Sequence, residues 1–150
     1  MDIKRINKQV LNSKLSDLAT YIKEIKPLLA EDTGELLKQD NYARLRALER
    51  EFQLIVDTMI EINTHIISKL GLEPPQDYFN IFMTLGRNEI LPTDFATNLA
   101  GVVGLRNKVV HKYEVIDPKK FIDDLKGNSE QFEEYVEYIN KLLKEYDQRS

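Results

Sequence analysis

Apolar side chains recur at three- and four-residue steps over the first 29 residues, which is the spacing of one face of a long helix. Pro27 lacks the amide that a helix interior uses, so this helix is expected to kink there or to end early. The face comprises Ile3, Ile6, Val10, Leu11, Leu15, Leu18, Ile22, Ile25 and Leu29.

A second apolar series with helical spacing extends from Leu45 to Leu70. Asp40 or Asn41 is expected to cap this helix, because either side chain can accept from the unpaired amides of the first turn. Gly71 suits the left-handed conformation in which many helices end. The series therefore predicts a second long helix that ends at Gly71.

Two further helices are predicted in the middle of the chain. Asp77 is expected to cap a short one that stops near residues 86–89. Thr93 or Asp94 is then expected to cap a fourth helix that ends near residues 111–112. Small residues in this fourth helix allow another backbone to approach closely, within the subunit or across a dimer: Ala96, Ala100, Gly101 and Gly104.

The last part of the chain also has helical patterning. Asp117 followed by Pro118 is a typical helix start, because proline at the first position lacks only an amide that would be unpaired anyway. Residues 127–129 are expected to bend or interrupt this helix, and residues 130–146 complete it. No alternating strand pattern occurs. The sequence thus predicts an all-α antiparallel bundle of about five helices, as a single domain over residues 1–150.

Composition limits the function classes. The chain contains no cysteine, which excludes disulfides, thiolate metal sites and a cysteine nucleophile. No charge-free stretch of about 20 residues is present, so we expect no membrane segment and a cytoplasmic protein. The formal net charge of −4 argues against coating of nucleic acid through the overall field. Residues 104–120, however, carry five cations against two carboxylates, a net +3.

The end of the fourth helix, LRNKVVHKY, holds several residues capable of chemistry. At about 100° per residue, Asn107 and His111 share a face, whereas Arg106 is displaced from His111 by about 140°. A histidine can accept the proton of an RNA 2′-hydroxyl, and an arginine can stabilise the resulting phosphorane charge without a metal. The alternative is a solvated helix end, where a cation near the helix C-terminus is favourable in any case.

This stretch resembles the Arg-x4-His-x-Tyr signature of HepT-type proteins of the HEPN superfamily, including the asparagine after the arginine. The resemblance extends through residues 74–104 upstream and 114–121 downstream. It implies a homodimeric, metal-independent endoribonuclease toxin that needs no cofactor, with its paired motifs meeting at the dimer interface. By motif position, Arg106 and His111 would be catalytic and Asn107 supportive.

The resemblance also implies a partner, a minimal nucleotidyltransferase antitoxin that can add AMP to the motif tyrosine, here Tyr113. Such phosphates would place negative charge where RNA must bind. Lys108 and Lys112 are candidate phosphate contacts, although exposed lysines are usually only a solvated surface. Tyr113 is also a candidate substrate contact, or it could instead cover the end of the bundle with its ring.

A second hypothesis is a non-catalytic helical module that docks a nucleotidyltransferase or positions its substrate. The sequence shows no aromatic-rich surface for bases, so it indicates no particular RNA as the substrate. His65, the other histidine, is expected to be a packing or interface residue, because it has no metal-ligand spacing to a carboxylate.

Overall fold

The computed structural model describes residues 2–111 and 117–149, and within them the regular structure is entirely helical. This confirms the predicted all-α class. Short 3₁₀ turns span Ile3–Arg5 and Gln39–Asn41. The α-helices are α1 (Lys8–Leu29), α2 (Thr33–Leu36), α3 (Tyr42–Lys69), α4 (Tyr78–Arg87), α5 (Thr93–Ala100), α6 (Val102–His111), α7 (Pro118–Asn128) and α8 (Glu130–Gln148).

The first helix differs from the prediction at both ends. Asn7 caps α1 by accepting from the Val10 amide, so Ile3 belongs to a separate 3₁₀ turn. Helix α1 also continues through Pro27 to Leu29, so the proline does not end it early. Pro27 is exposed, and water can bond the carbonyl that its missing amide leaves unpaired.

The second and third predicted helices, which are α3 and α4 in the structure, have the expected limits. Helix α3 begins directly after Asn41, and Gly71 beyond its end has a φ of 67° in the left-handed region. Asp77 accepts from the Asn80 amide at 2.8 Å and so caps α4. Helix α4 ends at Arg87, within the predicted window.

The predicted fourth helix is in fact two helices, α5 and α6, which are divided at Gly101. Neither Thr93 nor Asp94 is the cap, because α5 starts at Thr93 and its cap position is Pro92, without a side-chain hydrogen bond. Glycine loses much backbone freedom in a helix interior, so the exposed Gly101 is a weak point at which the helix divides. Arg106, Asn107, Lys108 and His111 lie on the second segment, α6.

The small residues of this region serve different purposes. Ala96 and Ala100 are buried, and a Cβ added to Gly86 of α4 would stand 2.8 Å from the Cβ of Ala96. Close approach within the subunit therefore joins α4 to α5. A Cβ on Gly104 would meet nothing within 4 Å, so this glycine leaves open space on α6.

The C-terminal pair of helices agrees with the sequence. Asp117 accepts from the amides of Lys119 and Lys120, and Pro118 is the first residue of α7. Ser129 separates α7 from α8.

Helix α3 lies at the centre of the core, in contact with α1, α4 and α6. Its Phe52 ring lies 5.6 Å from Phe121 of α7 and 6.4 Å from Phe132 of α8, measured between ring centroids. His65 of α3 accepts a hydrogen bond from the Asn7 amide at 3.1 Å, so it has the predicted packing role. None of the helices within the described ranges has the length and apolar character needed to cross a membrane.

Candidate functional site

Helix α6 carries the motif residues and is fixed to the core by its apolar side. Val102, Val103 and Val109 are buried. Arg106 and Asn107 are half-buried, whereas Lys108 and His111 are exposed. The apolar spacing of this short helix therefore presents the polar motif residues at or near the surface.

Arg106 is held by two hydrogen bonds. Its Nε donates to Oδ1 of Asp57 on α3 at 2.8 Å, and its Nη1 donates to Oδ1 of Asn107 at 3.1 Å. The Arg106 and Asp57 side chains are 16% and 30% exposed, so solvent screens this ion pair only in part. A guanidinium has five N–H donors, and Nη2 takes no part in either bond. These two bonds therefore orient Arg106 and use only two of its five donors.

A tyrosine ring completes the surroundings of the arginine. Cζ of Arg106 lies over the ring of Tyr78, 5.4 Å from its centroid, within the range of a cation–π contact. Tyr78 is the first residue of α4 and is 46% exposed. Helices α3 and α4 thus each supply one side chain to this cluster, and α6 supplies Arg106 and Asn107.

The structure brings Arg106 and Asn107 together, in keeping with a supporting role for the asparagine. His111 is the last residue of α6, and it interacts with other groups of the protein. The remaining predicted site residues, Lys112 and Tyr113, lie outside the described residues.

Lys108 faces a different feature, a groove of about 290 Å³ between α6 and the α7–α8 pair. Asp124 and Asn128 of α7 also line this groove. Within residues 2–111 and 117–149, no group of three or more His, Asp or Glu side chains is arranged to hold a metal ion.

Sequence reasoning missed Asp57 and Tyr78. Asp57 is 49 positions from Arg106, and no local spacing rule connects residues so far apart. A signal was nevertheless present, since Asp57 is the single carboxylate in the largely apolar stretch FQLIVDTMI, residues 52–60. A lone charge in a largely buried stretch of a helix needs a partner, and Arg106 is that partner.

Comparison with known proteins identifies the family of this chain. The ribonuclease HepT-like family model matches residues 18–139. The tRNA nuclease HepT of Aphanizomenon flos-aquae is 31% identical over 134 residues, which cover 89% of this chain and 90% of that protein. The mRNA nuclease HepT of Shewanella oneidensis is 25% identical over 130 residues, which cover 87% of this chain and 96% of that protein.

Solved structures agree with the sequence comparisons. The tri-AMPylated Shewanella oneidensis HEPN toxin in complex with MNT antitoxin superposes with a TM-score of 0.80 at 25% identity, covering 91% of this chain and 99% of that chain. The cytosolic protein YutE of Bacillus subtilis has the same fold, with a TM-score of 0.76 at 13% identity, covering 92% of this chain and 91% of that chain. With the family model matching most of its length, the chain belongs to the ribonuclease HepT-like family.

Proposed function

We propose that this protein is a metal-independent endoribonuclease and the toxin of a toxin–antitoxin pair, folded as one domain over residues 1–150. Its relatives are named as tRNA and mRNA nucleases, and a similar structure is a toxin bound to its antitoxin. The observation that carries the proposal is the fixed arginine. Asp57 and Asn107 hold Arg106 through two of its five N–H donors, and we assign the phosphate to the other donors.

In the proposed reaction, His111 accepts the proton of the 2′-hydroxyl and the 2′-oxygen attacks the adjacent phosphorus. The bond from phosphorus to the 5′-oxygen breaks, and the departing oxygen takes up a proton returned by the protonated His111. Arg106 stabilises the charge that develops on the phosphoryl oxygens, and Asn107 holds Arg106. The products are a cyclic phosphate and a 5′-hydroxyl. Lys108 and Lys112 add local phosphate contacts.

We further propose that the active form is a homodimer in which Arg106 and His111 from different subunits act on one phosphate. Arg106 is bonded toward α3, about 140° around α6 from His111. Mixing Arg106→Gln with His111→Ala subunits tests this arrangement. Random reassortment gives mixed dimers with one intact site, so about a quarter of the wild-type cleavage rate should return. No recovery after confirmed subunit exchange would contradict the shared site.

The proposed partner is a minimal nucleotidyltransferase antitoxin that adds AMP to Tyr113, in the cytoplasm where RNA is available. The similar toxin structure carries three AMP groups and is bound to its antitoxin. Incubation with the antitoxin and ATP should raise the intact mass by one or more AMP residues and abolish RNA cleavage. Tyr113→Phe should remain unmodified at this position, and Tyr138→Phe is the matched control that should be modified like the wild type.

The experiment that tests the nuclease is expression of the wild type, His111→Ala and His65→Ala without the antitoxin. RNA cleavage is followed in the presence of a metal chelator, together with growth. Wild type and His65→Ala should cleave RNA and arrest growth, and His111→Ala should do neither. If neither wild type nor His111→Ala cleaves RNA, the protein is not a nuclease and the docking-module hypothesis replaces this one.

A further inference from the structure

We propose that Tyr78 is a stacking site for an unpaired nucleobase next to the phosphate bound by Arg106. The inference rests on the proposed ribonuclease function and adds a contact that recognises the substrate as single-stranded. Phosphate and base would then be bound by two side chains that touch each other.

The position of the Tyr78 ring is well defined by its neighbours. Asp77 caps α4 immediately before it, which fixes the backbone of the first helical residue. The guanidinium carbon of Arg106 lies 5.4 Å from the ring centroid, and Arg106 is itself bonded to Asp57. The ring therefore has a rigid backbone and an anchored cation on one side.

Tyr78 is also accessible, since 46% of its surface is exposed. A large ring that is half exposed leaves apolar surface in water, and a nucleobase can cover that surface by stacking. Aromatic side chains are a common means of holding unpaired bases in single-stranded RNA. Because a nucleotide carries its base beside its phosphate, a phosphate on Arg106 brings a base within reach of the adjacent ring.

The chain contains a matched control in Tyr42. This tyrosine is likewise the first residue of its helix, α3, and it is 58% exposed. It also lies under an arginine, with Cζ of Arg46 4.6 Å from its ring centroid. Arg46, however, is outside the motif and is bonded to Glu49. A general effect of losing an exposed tyrosine would appear at both positions.

The test measures RNA binding without cleavage, in the His111→Ala protein. Fluorescence anisotropy with a labelled single-stranded oligoribonucleotide gives Kd for this parent and for added Tyr78→Leu, Tyr78→Phe or Tyr42→Leu. Tyr78→Leu should weaken binding about 5- to 100-fold, the usual effect of losing one stacked base. Tyr78→Phe and Tyr42→Leu should each stay within about twofold of the parent.

Two probes make the result specific to a base. The same sequence in a duplex should show no difference between the parent and Tyr78→Leu, because paired bases cannot stack on the ring. An abasic oligoribonucleotide should bind the unchanged parent as weakly as the intact one binds Tyr78→Leu. This second probe needs no variant at position 78, so unchanged binding of the abasic oligoribonucleotide overturns the proposal even if Tyr78→Leu fails to fold.

Three results of the binding assay would overturn the proposal: equal Kd values for Tyr78→Leu and the parent, an equal loss in Tyr42→Leu, or unchanged binding of the abasic probe. Dissociation of a dimer by Tyr78→Leu, seen by light scattering, would also overturn it and make the ring a subunit contact. Cleavage by the wild type is measured separately. A Tyr78-dependent Kd without any cleavage would refute the nuclease and leave the stacking site in place.

Discussion

The ion pair between Asp57 and Arg106 leads to a specific kinetic prediction for Asp57→Asn. The amide has nearly the same shape as the carboxylate and can still accept a hydrogen bond, but it lacks the charge that holds the guanidinium. We expect kcat to fall because Arg106 is less well oriented toward the phosphate. We expect KM to stay the same or to fall, because removing a negative charge beside the phosphate site favours RNA binding.

The size of the effect follows from the geometry. Fully exposed ion pairs contribute about 0–1 kcal/mol, whereas removing one partner of a fully buried pair costs about 3–5 kcal/mol. This pair is 2.8 Å long with side chains 16% and 30% exposed, which places it between these limits. A loss of about 1–2 kcal/mol of orienting energy corresponds to a decrease in kcat of about 5- to 30-fold.

The assay is a double-mutant cycle on cleavage of a single-stranded RNA, with Arg106→Gln as the second change. If Asp57 acts through Arg106, Asp57→Asn should have almost no further effect in the Arg106→Gln protein. Glu61→Gln is the control, because Glu61 lies on the same helix as Asp57 and the change breaks an exposed ion pair with Lys14 of α1. Additive losses in the cycle, or a higher kcat in Asp57→Asn, would refute the orienting role.

Two further predictions concern stability. The Glu51 carboxyl has its pKa raised to about 7 by burial and by a hydrogen bond with Glu24, so its stabilising contribution is complete below about pH 4.5 and is lost as the pH rises through about 7. The free energy of unfolding of Glu51→Gln should therefore exceed that of the wild type by about 1 kcal/mol at pH 8 and should equal it at pH 4. Urea unfolding measures both, and an equal gain at the two pH values would contradict the prediction. Gly86→Ala should destabilise the protein by about 1–3 kcal/mol, because the new Cβ would lie 2.8 Å from the Cβ of Ala96. Gly104→Ala, which has open space around it, should be neutral or stabilising. Thermal unfolding measures both, and the opposite order of stability would contradict the packing.

Sequence rules for helix ends predicted the features that depend on a few neighbouring residues. The cap at Asp77, the left-handed Gly71 and the start of α7 at Asp117 each depend on a side chain and the few amides or dihedral angles beside it. The division at Gly101 was not predicted, because the apolar spacing continues across it. Periodicity detects which face is buried, but it is insensitive to a one-residue break between two helices with nearly continuous spacing.

The candidate site was predicted only where its residues are adjacent in sequence. The motif signature identified Arg106 and Asn107, which the structure brings into contact. Asp57 and Tyr78 join them through tertiary packing of α3 and α4 against α6. Their pairing depends on how three helices pack, and no property of a single segment encodes it.

The charge balance of the chain explains why a stacking contact would matter. With a net charge of −4 and an excess of only +3 over residues 104–120, few phosphates can be neutralised. Each phosphate contact with single-stranded RNA changes the logarithm of affinity by only about 0.7 per tenfold change in salt. Asp57 further reduces the positive potential beside Arg106. Affinity that ionic contacts do not supply has to come from contacts without charge, and in the proposed site the exposed ring of Tyr78 would provide one directly beside Arg106.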